Sequence, residues 1–552
     1  MTRVLQMSAA ALVAAAVFVT VAGANGDAPL TKAVKAGDVQ AVHALLKSGA
    51  EVNIRSGDGS TPLLWAVAGS AHEIARTLIA AKAAVDVAND FGVTPLLHAS
   101  RIGDATMVDV LLRAGANPSH AHPEGETPLM AASRAGSVAA VRALLARGAD
   151  VNAAETFQNT TALMWAANEG HIDVVDVLIE AGAAINRQAH VTALNDRHNA
   201  DHPTGGFTAL MWAARNGNEA LVRRLVARGA NLNLKNGDAA SAAMIAMYND
   251  RFDLANTLIE LGSDVNDGSL YVAVEMRDAT TDQFAFDGSR RRPDFPNKLT
   301  ALDLMRILLE RGADPNKTFA GQFHSTSMPN TDRFDNTPFF RAAIASDVEA
   351  LKLLVTHGAN LEQSPAVTKG ANEKEDPAAP GRGRGNPNAG RTAAMVTMTG
   401  GRGPAMTGGP AYIREGPAPY REQGSRKPEE ALAVLLTAGA NPNAKSPDGA
   451  SLLHQAVNLR NLDMIRALAA AKVDFTQKNN DGFTAFDVAE GKQPATGRAG
   501  RGGGPPGGGR GRGRGASPQD VAKLLRELMG LPPAPEVPAS APEAPTSPED
   551  AK

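Results

Sequence analysis

The sequence predicts an all-α solenoid of about twelve stacked helix pairs, and three observations predict it. Thr61-Pro62-Leu63, Thr94-Pro95-Leu96 and Thr127-Pro128-Leu129 recur 33 residues apart. The pairs Leu78-Ile79, Leu111-Leu112 and Leu144-Leu145 keep the same period. Glycines such as Gly103 and Gly136 fall between the two signals. A fixed repeat of this size marks units that stack, since one such unit cannot bury its own apolar face. Proline in a first helical turn loses no useful donor, and glycine suits the left-handed residue that stops a helix. Each unit therefore reads helix, turn, helix, loop.

These units resemble ankyrin repeats. The family's Thr-Pro-Leu-x-x-Ala and Gly-Ala-Asp-Val-Asn signatures stand here as Thr127-Pro128-Leu129-Met130-Ala131-Ala132 and Gly148-Ala149-Asp150-Val151-Asn152. The resemblance recurs in register along most of the chain. It implies an ankyrin-type stack of helix-turn-helix repeats with projecting loops, a role in gripping other macromolecules, and no particular partner.

The chain has 552 residues, but a solenoid grows by adding units, so length does not count domains here. A formal net charge of -3 and an aromatic content of 4% point away from nucleic acid as a partner. There is no cysteine, which excludes disulfides, thiolate metal sites and cysteine nucleophiles.

At the N-terminus Arg3 precedes an apolar run, residues 7–22, followed by Ala22-Gly23-Ala24. That pattern predicts a signal peptide over residues 1–24 and an exported, periplasmic or extracellular product. The alternative is an uncleaved anchor, for which the run is short against about 30 Å of hydrocarbon. No later stretch reads as a membrane span.

Repeats are expected over residues 27–363. The degenerate opening unit, Pro29-Leu30-Thr31-Lys32-Ala33-Val34, reads as an end cap. Thr161-Ala162-Leu163 and Thr208-Ala209-Leu210 open two further units, 47 residues apart because of added residues near 186–206. Further inserts are expected near 283–299 and 319–335, with Leu308-Leu309 and Leu353-Leu354 closing the units around them. Residues 364–427 read as one irregular repeat carrying Gly/Pro/Arg-rich inserts, which bury too little apolar surface to order themselves. Repeats resume over 428–492. An Arg-Gly linker covers 493–517, a capping helix 518–530 and a Pro-rich tail without periodicity 531–552.

In each unit the residue after the small pair of the first helix projects from that helix. In register these are Lys35, Ala68, Arg101, Arg134, Asn168, Arg215 and Tyr248. The resemblance implies that this position lines a concave groove, so Lys35, Arg101, Arg134 and Arg215 form a basic ladder that favours a protein partner with an acidic segment. The competing reading is ordinary solvated cations on a helix surface. Loop tips add Phe91, Glu124, Phe157 and Phe207, where exposed aromatics can anchor an interface or fold back. Trp65, Trp165 and Trp212 share one place in their units and read as packing between neighbours.

The insert near 186–206 gathers His190, Asp196, His198, Asp201 and His202, which could hold a divalent metal for hydrolysis. Their spacing matches no metal motif, and a solvated loop is the better reading. Arg382 to Gly385 and Arg498 to Gly515 could track a polyanion, the alternative being plain linker. No Gly-x-Ser-x-Gly, His-Glu-x-x-His or phosphate-loop motif is present. The expectation is a non-enzymatic scaffold with no catalytic residue, metal or cofactor.

Overall fold

The computed structural model describes residues 27–191, 205–278, 297–319, 337–364, 390–398, 427–447, 449–492 and 516–533. The expected signal peptide, most of the three loop inserts, most of 364–427, the Arg-Gly linker and the tail from 534 lie outside the described residues.

Among the described residues the chain is helical, with twenty-four helices in twelve successive pairs. The first seven pairs are α1 (Pro29–Lys35) and α2 (Val39–Lys47), α3 (Pro62–Ala68) and α4 (His72–Ala80), α5 (Pro95–Arg101) and α6 (Ala105–Arg113), α7 (Pro128–Arg134) and α8 (Val138–Ala146), α9 (Ala162–Glu169) and α10 (Ile172–Glu180), α11 (Ala209–Asn216) and α12 (Glu219–Ala227), and α13 (Ala242–Tyr248) and α14 (Phe252–Glu260). Then come α15 (Ser269–Asp278) and α16 (Ala301–Glu310), α17 (Pro338–Ile344) and α18 (Val348–Thr356), α19 (Ala393–Thr397) and α20 (Pro428–Thr437), α21 (Leu452–Leu459) and α22 (Leu462–Ala470), and α23 (Ala485–Ala489) and α24 (Pro518–Leu528).

The chain divides into two units. The first holds α1 to α16; the second begins at Phe339, one residue into α17. In the first unit α1, α3, α5, α7, α9, α11, α13 and α15 pack side by side in one row, each on the next. In the second, α18 packs on α20, α20 on α22, and α21 on α23.

The first helices α3, α5, α7, α9, α11 and α23 each start at a capping threonine, and α13 and α21 at a capping serine. Thr94 Oγ1 accepts from Leu97 N–H at 3.2 Å and Thr208 Oγ1 from Met211 N–H at 3.2 Å. The side-chain oxygen satisfies a donor that the first turn would otherwise leave orphaned. At the turn Gly136 adopts φ +74°, and a Cβ there would lie 2.6 Å from the His171 ring.

The first leucine of each closing pair is the deepest: Leu78, Leu111, Leu144 and Leu178 are fully buried, whereas Ile79, Leu145 and Ile179 are partly exposed. Consecutive helical residues point 100° apart, so one member faces the stack and the next faces its edge. This corrects one register. In the ninth pair the deep residue is Leu354, four before Gly358, so its closing pair is Leu354-Val355 and not Leu353-Leu354.

The asparagines of the signature stitch units together. Asn53 Oδ1 accepts from Ala84 N–H at 2.8 Å, Asn152 Oδ1 from Ala184 N–H at 2.8 Å and Asn186 Oδ1 from Asn231 N–H at 2.7 Å. Each bond offers one loop's amide to the preceding loop.

The C-terminal cap is held by polar contacts. Arg526 on α24 pairs with Glu490, its guanidinium lies 5.2 Å from the Phe486 ring centroid, and Lys492 reaches Glu490 at 2.9 Å. Asp487 accepts from Thr484 Oγ1 at 2.7 Å, from Thr484 N–H at 3.0 Å and from Lys492 Nζ at 3.1 Å. The Thr484 hydroxyl first, then its amide and Lys492, lower the Asp487 pKa from 3.8 to about 2. A depressed carboxyl stabilises the fold above its unfolded value and loses that contribution as pH falls through the folded one. Hydrogen exchange in α23 is therefore expected to accelerate as pH falls from about 4 toward 2, relative to each amide's intrinsic rate. In Asp487→Asn this excess pH dependence should be much reduced.

Candidate protein-binding face

The row of first helices and the loop tips beside it carry the residues singled out by sequence. Lys35 ion-pairs with Asp27 at 2.7 Å and places its Nζ 3.7 Å from the Trp65 ring centroid. Arg134 lies over Trp165, 4.7 Å from its centroid, with Glu169 3.8 Å away. Arg215 covers the Trp212 ring at 5.1 Å. Arg101 donates through Nε to Glu126 at 3.0 Å. Asn168 accepts at its carbonyl from the Asn216 amide, and its own amide donates to Glu169 at 3.3 Å. The ladder is thus a line of cations already engaged by indoles and carboxylates of the same chain. It closes at the seventh pair, where Tyr248 is only 4% exposed.

The tryptophans fall short of the core, although Trp65 and Trp165 do meet the preceding pair through Lys35 and Arg134. All three are half-buried, and cations lie over their rings. The signal was present: Trp165 and Trp212 precede Asn168 and Arg215 by three residues, which puts them on the same helix face as the projecting position. In the third pair His98 takes the tryptophan's place; burial first, and Arg101 second, lower its pKa.

The tips divide. Phe91 and Phe157 are 68% and 79% exposed, and the Glu124 side chain is 86% exposed. Phe207 is the correction: it is 6% exposed and packs on Trp212 with ring centroids 4.9 Å apart. Gly205 and Gly206, at φ +71° and +77°, turn the chain back before it, and its carbonyl accepts from Ala189 N–H at 3.0 Å. The paired glycines were the missed signal.

The open tips are tied to one another. Asp90 N–H donates to Asp58 O at 3.1 Å and Thr156 N–H to Glu124 O at 3.0 Å. Between them His122 bridges two tips: its Nδ1 accepts from Glu124 N–H at 3.2 Å and its Nε2 meets Phe91 O at 2.8 Å. An amide can only donate and a carbonyl only accept, so in this geometry Nδ1 takes the acceptor role and Nε2 the donor role. Of the suggested metal ligands near 186–206, His190 alone lies among the described residues; its N–H donates to Gln158 O at 2.6 Å.

No curated protein matches the chain. Solved structures similar to it include the ankyrin repeat domain of Bcl-3, a member of the IkappaB protein family, at 28% identity over 43% of this chain and 100% of that one, TM-score 0.36. The human ASB11 ankyrin repeat domain is 27% identical over 43% of this chain and 99% of that one, TM-score 0.36. The family model for ankyrin repeats, in three copies, matches residues 30–120, 96–189 and 190–269. Residues 30–269 are therefore ankyrin repeats, and helix pairs in the same order continue beyond them.

Proposed function

We propose that this chain is a non-enzymatic scaffold, exported to the cell envelope or beyond, that holds an acidic segment of a protein partner along the row of first helices. Ankyrin repeats generally mediate protein–protein interaction. The observation that carries the acidic preference is the strip of indoles, Trp65, Trp165 and Trp212, each with Lys35, Arg134 or Arg215 held against its ring. A cation resting on an aromatic face is pre-positioned, so less side-chain freedom is lost when a carboxylate arrives. The intrachain pairs do not block it, because exposed ion pairs contribute only about 0–1 kcal/mol and exchange readily for a partner's carboxylate. Export is supported by the basic, apolar and small-residue pattern of residues 1–24. Among the described residues no helix is long and apolar enough to cross a membrane.

The chain has three tryptophans, all on this strip, so its intrinsic fluorescence reports the strip directly. Polyglutamate is expected to change that fluorescence saturably and polylysine not. Changing Lys35, Arg101, Arg134 and Arg215 to Glu should weaken the response at least about tenfold, equivalent to about 1.4 kcal/mol, with helical content retained. An equal response to both polymers would remove the acidic-segment reading.

A further inference from the structure

The loop tips carry the opposite chemistry to the helix row. Glu155 is spent internally, its carboxylate accepting from Phe157 N–H at 2.6 Å, Gln158 N–H at 2.8 Å and Thr160 N–H at 3.0 Å. Asp58 accepts from Ser60. Arg55 is committed to the carbonyls of Gly59 and Ala88, at 2.9 and 2.7 Å, with Asp90 3.8 Å away. Glu124 stands in solvent, its side chain 86% exposed, with His122 Nδ1 3.9 Å from its carboxylate and already accepting from the Glu124 N–H at 3.2 Å. On the tips to either side stand Phe91 and Phe157, the two most exposed large apolar side chains among the described residues.

The spacing of the three is fixed by the bonds that lace the tips, His122 to Phe91 O and Thr156 to Glu124 O. Neighbouring helix pairs stand about 8–10 Å apart, so Phe91 and Phe157, two pairs apart, are separated by about 16–20 Å with Glu124 between them. A polyproline-type segment rises about 3.1 Å per residue with three residues per turn, so positions i, i+3 and i+6 share one face over about 19 Å. A β-strand would turn position i+3 to the opposite face.

We propose that Phe91, Glu124 and Phe157 form one docking strip for a left-handed extended segment of a partner protein, with apolar residues at i and i+6 and an arginine or lysine at i+3. The inference rests on the scaffold reading but concerns a surface separate from the indole strip. The two aromatics supply anchoring area at little entropic cost, and Glu124 selects the sign of the central charge.

The test uses the full chain and three display libraries of nine-residue peptides. Each has leucine at positions 2 and 8, random residues elsewhere, and arginine, alanine or glutamate at position 5. The arginine library is expected to enrich at least tenfold over the glutamate library, with proline frequent at the random positions. Glu124→Lys should reverse that preference, and Phe91→Ala with Phe157→Ala should abolish enrichment from both. These side chains are exposed, so unchanged melting curves would exclude unfolding as the cause. Equal enrichment of all libraries, no enrichment, or enrichment that survives the double alanine variant would overturn the strip. The response to polyglutamate, read on the indoles, stands or falls independently and separates failure of this strip from failure of the scaffold reading.

Discussion

Leu111→Ala is expected to cost about 2–5 kcal/mol of unfolding free energy in the first unit, the range for emptying a fully packed leucine site. Leu111 is fully buried on α6, which packs against its partner α5 and against α8 of the next pair. Removing it opens a void in the helix that joins the third pair to the fourth. In a stack held by nearest-neighbour contacts, that loss should open α5 to α8 first, because each pair leans only on the pairs beside it. Hydrogen exchange should therefore quicken strongly in α5 to α8 and far less in α13 to α15. Arg113→Ala, two residues away on the same helix but exposed, should stay within about 0.5 kcal/mol of the parent. Uniform acceleration throughout the first unit would mean that it unfolds as one block, contrary to the layered account.

The same locality explains what could be read from the residues beforehand. A threonine capping the helix that starts after it, or a leucine deep in its own helix, is decided within a few residues, and that information repeats at every unit. The register in the ninth pair shows the limit: three apolar residues, Leu353, Leu354 and Val355, are all candidates, and only the distance to Gly358 separates them. The helix-row cations were legible as positions but not as chemistry. Two of their partners come from other segments: Trp65 lies 30 residues beyond Lys35 and Trp165 lies 31 beyond Arg134, whereas Trp212 stands three before Arg215 on the same helix. Phe207 escapes a sequence reading for a related reason. Its exposure depends on how Gly205 and Gly206 redirect the chain toward Trp212, a contact fixed only when loop and helix come together.

Gly125→Ala is expected to damage both stability and the tip strip, and a second glycine shows why. Gly125 sits at φ +90°, and a Cβ there would meet Thr156 N at 2.8 Å and Glu155 Cα at 2.9 Å, both backbone atoms of the neighbouring tip. Backbone cannot swing aside as a flexible side chain would, so the tips must part. Alanine in left-handed backbone costs about 1–2 kcal/mol. Parting also breaks the bonds from Thr156 N–H and Thr156 Oγ1 to Glu124 O, at 3.0 and 2.7 Å, each contributing about 0.5–1.5 kcal/mol. Gly115 has nearly the same backbone, φ +92°, but a Cβ added there would meet nothing within 4 Å. Gly115→Ala should therefore show the strain alone, and the stability difference between the two variants, read by chemical denaturation, isolates the lacing. Gly125→Ala should also weaken binding of an arginine-centred peptide selected on the parent chain, because Phe157 would no longer be held at a fixed distance from Glu124, while Gly115→Ala leaves that binding intact. Equal stability losses in the two variants would mean that the tips move apart freely and that no fixed spacing exists for a segment to match.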